Sequence, residues 1–143
     1  MKLSPFLFVS IVLSVSAQNL TTNTNSIFKH DLLIGNWAFE SMTTIRKAKR
    51  EEIIILYKDN KNIETLHFKE SGSINYDVIN DGVEKNGLGI WFADESHLTI
   101  IVESDTTYGT FEVEKNTLTL VISAEETDKN YGFSTILKYS RVQ

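Results

Sequence analysis

The sequence predicts an all-β fold, an antiparallel up-and-down barrel of about eight or nine strands. Three observations predict it. Short runs rich in Val, Ile, Thr, Tyr and Phe recur along the chain, clusters of Asn, Asp, Gly and Ser separate them, and no long helical period interrupts them. The only proline, Pro5, precedes every candidate strand, and hairpin connections throughout favour a barrel over a sandwich.

The chain opens with Met1-Lys2 and an apolar stretch, Leu3 to Val15, that ends in the small residues Ser16-Ala17. This is the three-part pattern of a secretory signal, and it falls short of the roughly 20 apolar residues a membrane span needs. Residues 1–17 are expected to be a signal peptide, 18–30 a flexible leader rich in Asn, Thr and Ser, and 31–143 the barrel domain. The expected product is exported, periplasmic or extracellular, and soluble, with no stable membrane anchor. An uncleaved anchor is the weaker reading. Asn19-Leu20-Thr21 is a glycosylation acceptor in a eukaryotic host.

The first strand is expected at Ile34 to Met42. Thr43 to Glu52 reads as a solvated loop or one or two turns of helix, and Ile53 to Lys58 as a short β-branched strand of the buried kind. Asn62 to Glu70 alternates, with Leu66 and Phe68 on one face, and Ser71-Gly72 turns into Ile74, Tyr76 and Val78. Asn80-Asp81-Gly82 reads as the opening of a loop that closes near Asn86-Gly87. Leu88 to Ala93 follows, apolar on both faces. Turns at Asp94 to Ser96, Glu103 to Asp105 and Lys115-Asn116 then separate three strands, the last of which sets Leu118, Leu120 and Ile122 against Thr117, Thr119 and Ser123. An acidic loop, Glu125 to Asn130, leads into the final strand, Tyr131 to Val142.

Without residues 1–17 the chain keeps 126 of its 143 residues and carries 13 basic against 19 acidic side chains, an acidic balance that disfavours nucleic acid and anionic membrane as partners. There is no cysteine, so disulfides, thiolate metal sites, a thiol nucleophile and an acylated-cysteine anchor are excluded. The basic cluster Arg46 to Arg50 reads as a solvated loop offset by Glu51 and Glu52.

No catalytic constellation emerges. His30, His67 and His97 have no metal-ligand spacing and read as solvent-exposed, the carboxylates sit at wet turns, and no serine has a nucleophile-elbow context. The chain is therefore expected not to be an enzyme, with no metal and no cofactor. Were there catalysis at the barrel mouth, the titratable candidates would be Tyr76, Tyr139 and Glu40.

Gly35-Asn36-Trp37 opens the first strand, Leu66 to Ser73 forms a Phe- and Gly-containing hairpin, Gly89-Ile90-Trp91 repeats the opening motif, and Tyr139-Ser140-Arg141 closes the last strand. In this order the chain resembles the bacterial lipocalin-like family over about residues 33 to 142. Many members carry a lipoprotein cysteine that is missing here. The resemblance implies that a basic residue near the C-terminus, Arg141, packs over Trp37, and that Gly35, Trp37, Gly89, Trp91 and Arg141 close the barrel structurally. Such a stacked guanidinium contributes about 0.5 to 2 kcal/mol.

Small barrels hold one apolar ligand or fill themselves with their own side chains. A ligand inside this one would meet Phe39, Ser41, Phe68, Tyr76, Gly109, Phe111, Phe133 and Thr135. Most inner-face candidates, Leu66, Leu98, Leu120, Leu137 and Tyr139 among them, are bulky and only Ser41, Gly109 and Thr135 are small, which suggests a shallow site at one mouth. Two readings follow. One is a binder of a small hydrophobic molecule at the mouth, and the other is a filled barrel whose loops engage a protein or glycan. The oligomeric state is not specified by the sequence.

Overall fold

In a computed structural model, residues 30–47, 49–128 and 130–143 are described. The expected signal 1–17, and the leader 18–30 apart from His30, lie outside the described residues. Nine strands follow one another: β1 (Gly35–Lys47), β2 (Glu51–Tyr57), β3 (Asn62–Phe68), β4 (Ser73–Asn80), β5 (Val83–Asp94), β6 (His97–Val102), β7 (Asp105–Glu114), β8 (Thr117–Ala124) and β9 (Phe133–Val142). The sheet runs β2-β1-β3-β4-β5-β6-β7-β8-β9, antiparallel throughout, and β1 also pairs with β9. Eight strands thus close into a barrel, and β2 is an additional strand outside the ring. This is the all-β antiparallel barrel that the alternation predicts, and it is consistent with a lipocalin-like barrel.

Closure follows from β1, which is long enough to serve three partners. One edge pairs with β9 along Asn36 to Arg46. The other pairs first with β3, from Gly35 to Ala38, and then with β2, from Ser41 to Lys47. The loop or helix expected at Thr43 to Glu52 is therefore strand at both ends. Thr43, Thr44 and Ile45 are β-branched, and β9 and β2 satisfy their backbone groups on either side.

The loop expected from Asn80 to Gly87 is instead a two-residue turn, Asp81-Gly82, with both residues at positive φ and Asn80 paired to Val83. Asp-Gly is the dipeptide such a tight hairpin turn demands, and it lets β4 and β5 pair through Gly87. The turns after β5, β6 and β7 place Glu95, Glu103 and Lys115 at positive φ.

β2 differs from expectation in burial. Its apolar run reads as buried, yet Ile53, Ile55 and Tyr57 are 58%, 53% and 68% exposed, because among the described residues only β1 flanks the strand. The apolar faces of β5 split in the same way. Trp91 points into the core, whereas Leu88, Ile90 and Phe92 point out and are more than half exposed.

The barrel interior is one packed cluster that includes Trp37, Phe68, Ile74, Tyr76, Leu118 and Tyr139. Inward positions on β1 are Trp37 and Phe39, then Met42, because the register with β9 slips between Phe39 and Ser41. The extra residue there is Glu40. This β-bulge inverts the alternation, so Ser41, expected inside, faces out opposite Tyr57 and Lys138.

Candidate functional site

One end of the barrel is closed by its own residues. Residues 30–34 form a tight turn across it, with Leu33 fully buried and its backbone carbonyl accepting a 2.7 Å hydrogen bond from Trp37 Nε1. The Arg141 guanidinium lies 4.2 Å from the centre of the Trp37 ring and donates to the carbonyls of Leu32 (2.6 Å) and Ile34 (2.9 Å). Gly35 makes this possible: at φ +129° it adopts backbone that side chains avoid, and a Cβ there would lie 2.8 Å from Arg141 Nη1.

Trp91 closes the neighbouring sector. Its Nε1 donates to the carbonyls of Lys69 and Ser73, both at 3.1 Å, and its ring meets Phe68 edge-on at 5.2 Å. Gly89 lets this stretch of β5 press against the Ile101 carbonyl of β6. His30, expected in solvent, is half-buried with its ring stacked 4.5 Å over Trp91. His67 is likewise half-buried. His97 is exposed and stacks on Tyr108 at 5.6 Å. Among the described residues no cluster of His, Asp and Glu is arranged to hold a metal ion.

The opposite end is different. β2 and β3 follow one another along the same edge of β1, and the chain between them leaves the sheet at Asp59, whose carboxylate accepts 2.8 Å bonds from the backbone N–H groups of Lys61 and Asn62. Where the two strands part, a half-open crevice leads inward. It is lined by Phe39, Met42, Leu56, Asn62, Ile63, Glu64, Val78, Ile79 and Leu137, and its enclosed room is about 10 Å³, the space of a single water.

Glu64 is the polar residue on the inner side of this crevice. It is buried, and its Oε1 accepts a 2.8 Å hydrogen bond from the hydroxyl of Tyr139, a fully buried side chain on β9. Burial pushes the Glu64 carboxyl up to about 7, against a smaller opposing effect of the Tyr139 bond. Burial and the neighbouring carboxylate push the Tyr139 phenol well above its ordinary value, so it stays a donor. At neutral pH the pair presents a carboxyl that takes up or gives a proton easily, braced by a neutral hydroxyl.

Glu40 behaves in the opposite way. Lys58 Nζ and Ser140 Oγ donate to it at 2.7 and 2.5 Å, Lys58 the stronger influence, and they hold it below the usual carboxylate range. It is an ionised residue of the bulge, away from the crevice.

No family model matches this chain, and no curated protein matches its sequence.

Of the residues expected to meet a ligand, the crevice gathers only Phe39. Phe68 lies beneath Trp91, Tyr76 covers Gly87, and Phe111 is in the packed interior. Gly109 offers no space, since a Cβ there would stand 2.5 Å from the Val121 carbonyl oxygen. Thr135 is buried and shares a 2.9 Å hydrogen bond with Thr44, and Phe133 packs half-buried at the rim. Glu64 was legible all the same. It stands two residues before Leu66 and four before Phe68 on one face of an alternating strand, a charged residue at an inward position.

Proposed function

We propose that this chain is an exported binding protein of the lipocalin-like kind that takes the apolar end of a small amphiphilic molecule at the crevice between β2 and β3. The observation that carries the reading is Glu64. A carboxyl buried among apolar side chains destabilises the fold unless it is well paired, and a packed apolar replacement would serve stability better. Here it stands where the barrel opens, beside Phe39, Leu56 and Ile63. A charged-to-neutral carboxyl with a hydroxyl behind it is suited to orient the polar group of a ligand whose tail lies on the rim. The packed interior excludes a deep calyx, so the site is shallow, and the ligand displaces water and keeps part of itself outside.

1-Decanol and decylamine are the probes. With Glu64 titrating near 7, decanol binds at least as well at pH 6 as at pH 8, and decylamine gains at pH 8 as the carboxylate forms. Native mass spectrometry and calorimetry at both pH values should show this, and Glu64→Gln should retain the alcohol while losing the amine's pH preference. Absence of binding by either probe at millimolar concentration would sink the reading.

The second reading, a filled barrel that works by contact with another protein, rests on a different observation. Leu88, Ile90 and Phe92 form one exposed apolar row along β5, and apolar patches of this kind on folded proteins mark contact surfaces. On that reading the partner meets the side of the barrel rather than its loops.

A further inference from the structure

We propose that β2 is a docking edge for a second copy of this chain, joined by antiparallel β2–β2 pairing about a two-fold axis at Ile55. Among the described residues β2 has a single sheet neighbour, β1, so its other edge is a row of unpaired backbone groups. Edges of that kind are usually blunted by a charge within the strand, a proline or a bulge. From Ile53 to Tyr57 this one carries none of them, and its charges stand only at the two ends: Glu51 and Glu52 before, Lys58 after.

The strand is complementary to itself in that register. With Ile55 opposite Ile55, Ile53 meets Tyr57 of the other copy, Ile54 meets Leu56, and Glu52 meets Lys58 at both ends. Residues of like parity meet, so the outward face stays outward across the junction. Exposed Ile53, Ile55 and Tyr57 cover one another, and the row continues through Thr43 and Ile45 on β1.

The charges fall into place as well. Within one copy Arg46 lies beside Glu52 at 3.9 Å and Lys58 beside Glu40 at 2.7 Å. Across the junction these pairs line up as Arg46, Glu52, Lys58 and Glu40, alternating in sign, and the two-fold repeats the row. Moving the two-fold to Ile54 would set Glu52 against Leu56, and moving it to Leu56 would set Lys58 against Ile54. The interface is isologous and closes, so it yields a dimer rather than a fibre.

The test exploits the absence of native cysteine. Opposed residues in an antiparallel pair have Cα atoms about 4.5 to 5.5 Å apart, within reach of a disulfide. Under mild oxidation Ile55→Cys is expected to cross-link into a dimer. Ile53→Cys alone is expected not to, since its copies sit ~14 Å apart, whereas a mixture of Ile53→Cys and Tyr57→Cys chains should. All three positions are more than half exposed, and unchanged melting temperatures confirm folding. Sedimentation of the unmodified protein should show a monomer–dimer equilibrium that Ile55→Lys weakens at least ~10-fold. The proposal is overturned by a monomer throughout with no Ile55→Cys dimer, or by equal cross-linking at Ile53→Cys and at a distant Leu88→Cys. A monomer in which the β2 amides that point away from β1 resist hydrogen exchange also overturns it, since that edge would then already be covered.

Discussion

Glu64 gives this fold a pH-dependent contribution to stability near neutral pH. Its ordinary value is 4.5 and burial raises it to about 7, so the folded state holds the proton more tightly than the unfolded chain. The sign follows: this stabilisation is complete below about pH 4.5 and is lost as pH rises through 7. Its size is about 3 kcal/mol at most. Denaturant titrations at pH 5 and pH 8 should find the protein less stable at pH 8, and Glu64→Gln should flatten the difference and leave the variant more stable than the parent at pH 8. Tyr139→Phe removes the hydrogen bond that the Tyr139 hydroxyl donates to this carboxyl and is expected to cost about 1–3 kcal/mol. At the closed end, Arg141→Ala loses two bonds to backbone carbonyls together with its stacking on Trp37. It should cost about 2 kcal/mol, whereas Arg141→Lys recovers only part of it, because an ammonium lacks the planar fork that reaches Leu32 and Ile34 together.

Strands and turns explain what could be read in advance. Alternation located β3, β6 and β8 because each has one face in the core and one in water, and that contrast is what the period-two signal records. Where the contrast fails, so does the signal. Ile53 to Leu56 is apolar on both faces and reads as buried, yet it lies outside the ring, and nothing local in a run of Ile distinguishes a central strand from an edge that another chain could cover. The bulge at Glu40 was hidden for another reason. It depends on β9, which is a hundred residues away, and it moved Ser41 out and Met42 in. Asp81-Gly82 was legible as a hairpin turn and was overrun by the polar Glu84-Lys85-Asn86 that follows it. Turns also hold strain. Glu103 and Lys115 adopt φ of 57° and 53°, a conformation that favours Gly or Asn. Glu103→Gly or Lys115→Gly should therefore raise stability by up to about 1 kcal/mol, read as a rise of a few degrees in the melting temperature.

For the whole molecule, closure by β1 and β9 leaves two unequal ends. One is stopped by Trp37, Trp91, Arg141 and the turn at residues 30–34, all but the last marked in the sequence by the two Gly-x-Trp motifs and the terminal basic residue. The other parts where β2 leaves the ring, and its character comes from residues distant in sequence: Phe39, Leu56, Glu64, Val78 and Leu137. Only the fold brings these together, which is why the bulky inward residues read from alternation include Phe39 and Leu137 but no other member of the crevice. The most direct test of a binding mouth at this place is two-dimensional NMR of the protein titrated with 1-decanol. Shifts confined to Phe39, Met42, Leu56, Ile63, Glu64 and Leu137, and abolished by Ile63→Trp across the opening, are the predicted result. Saturating decanol that leaves these signals in place, or that moves Leu88, Ile90 and Phe92 instead, would contradict it.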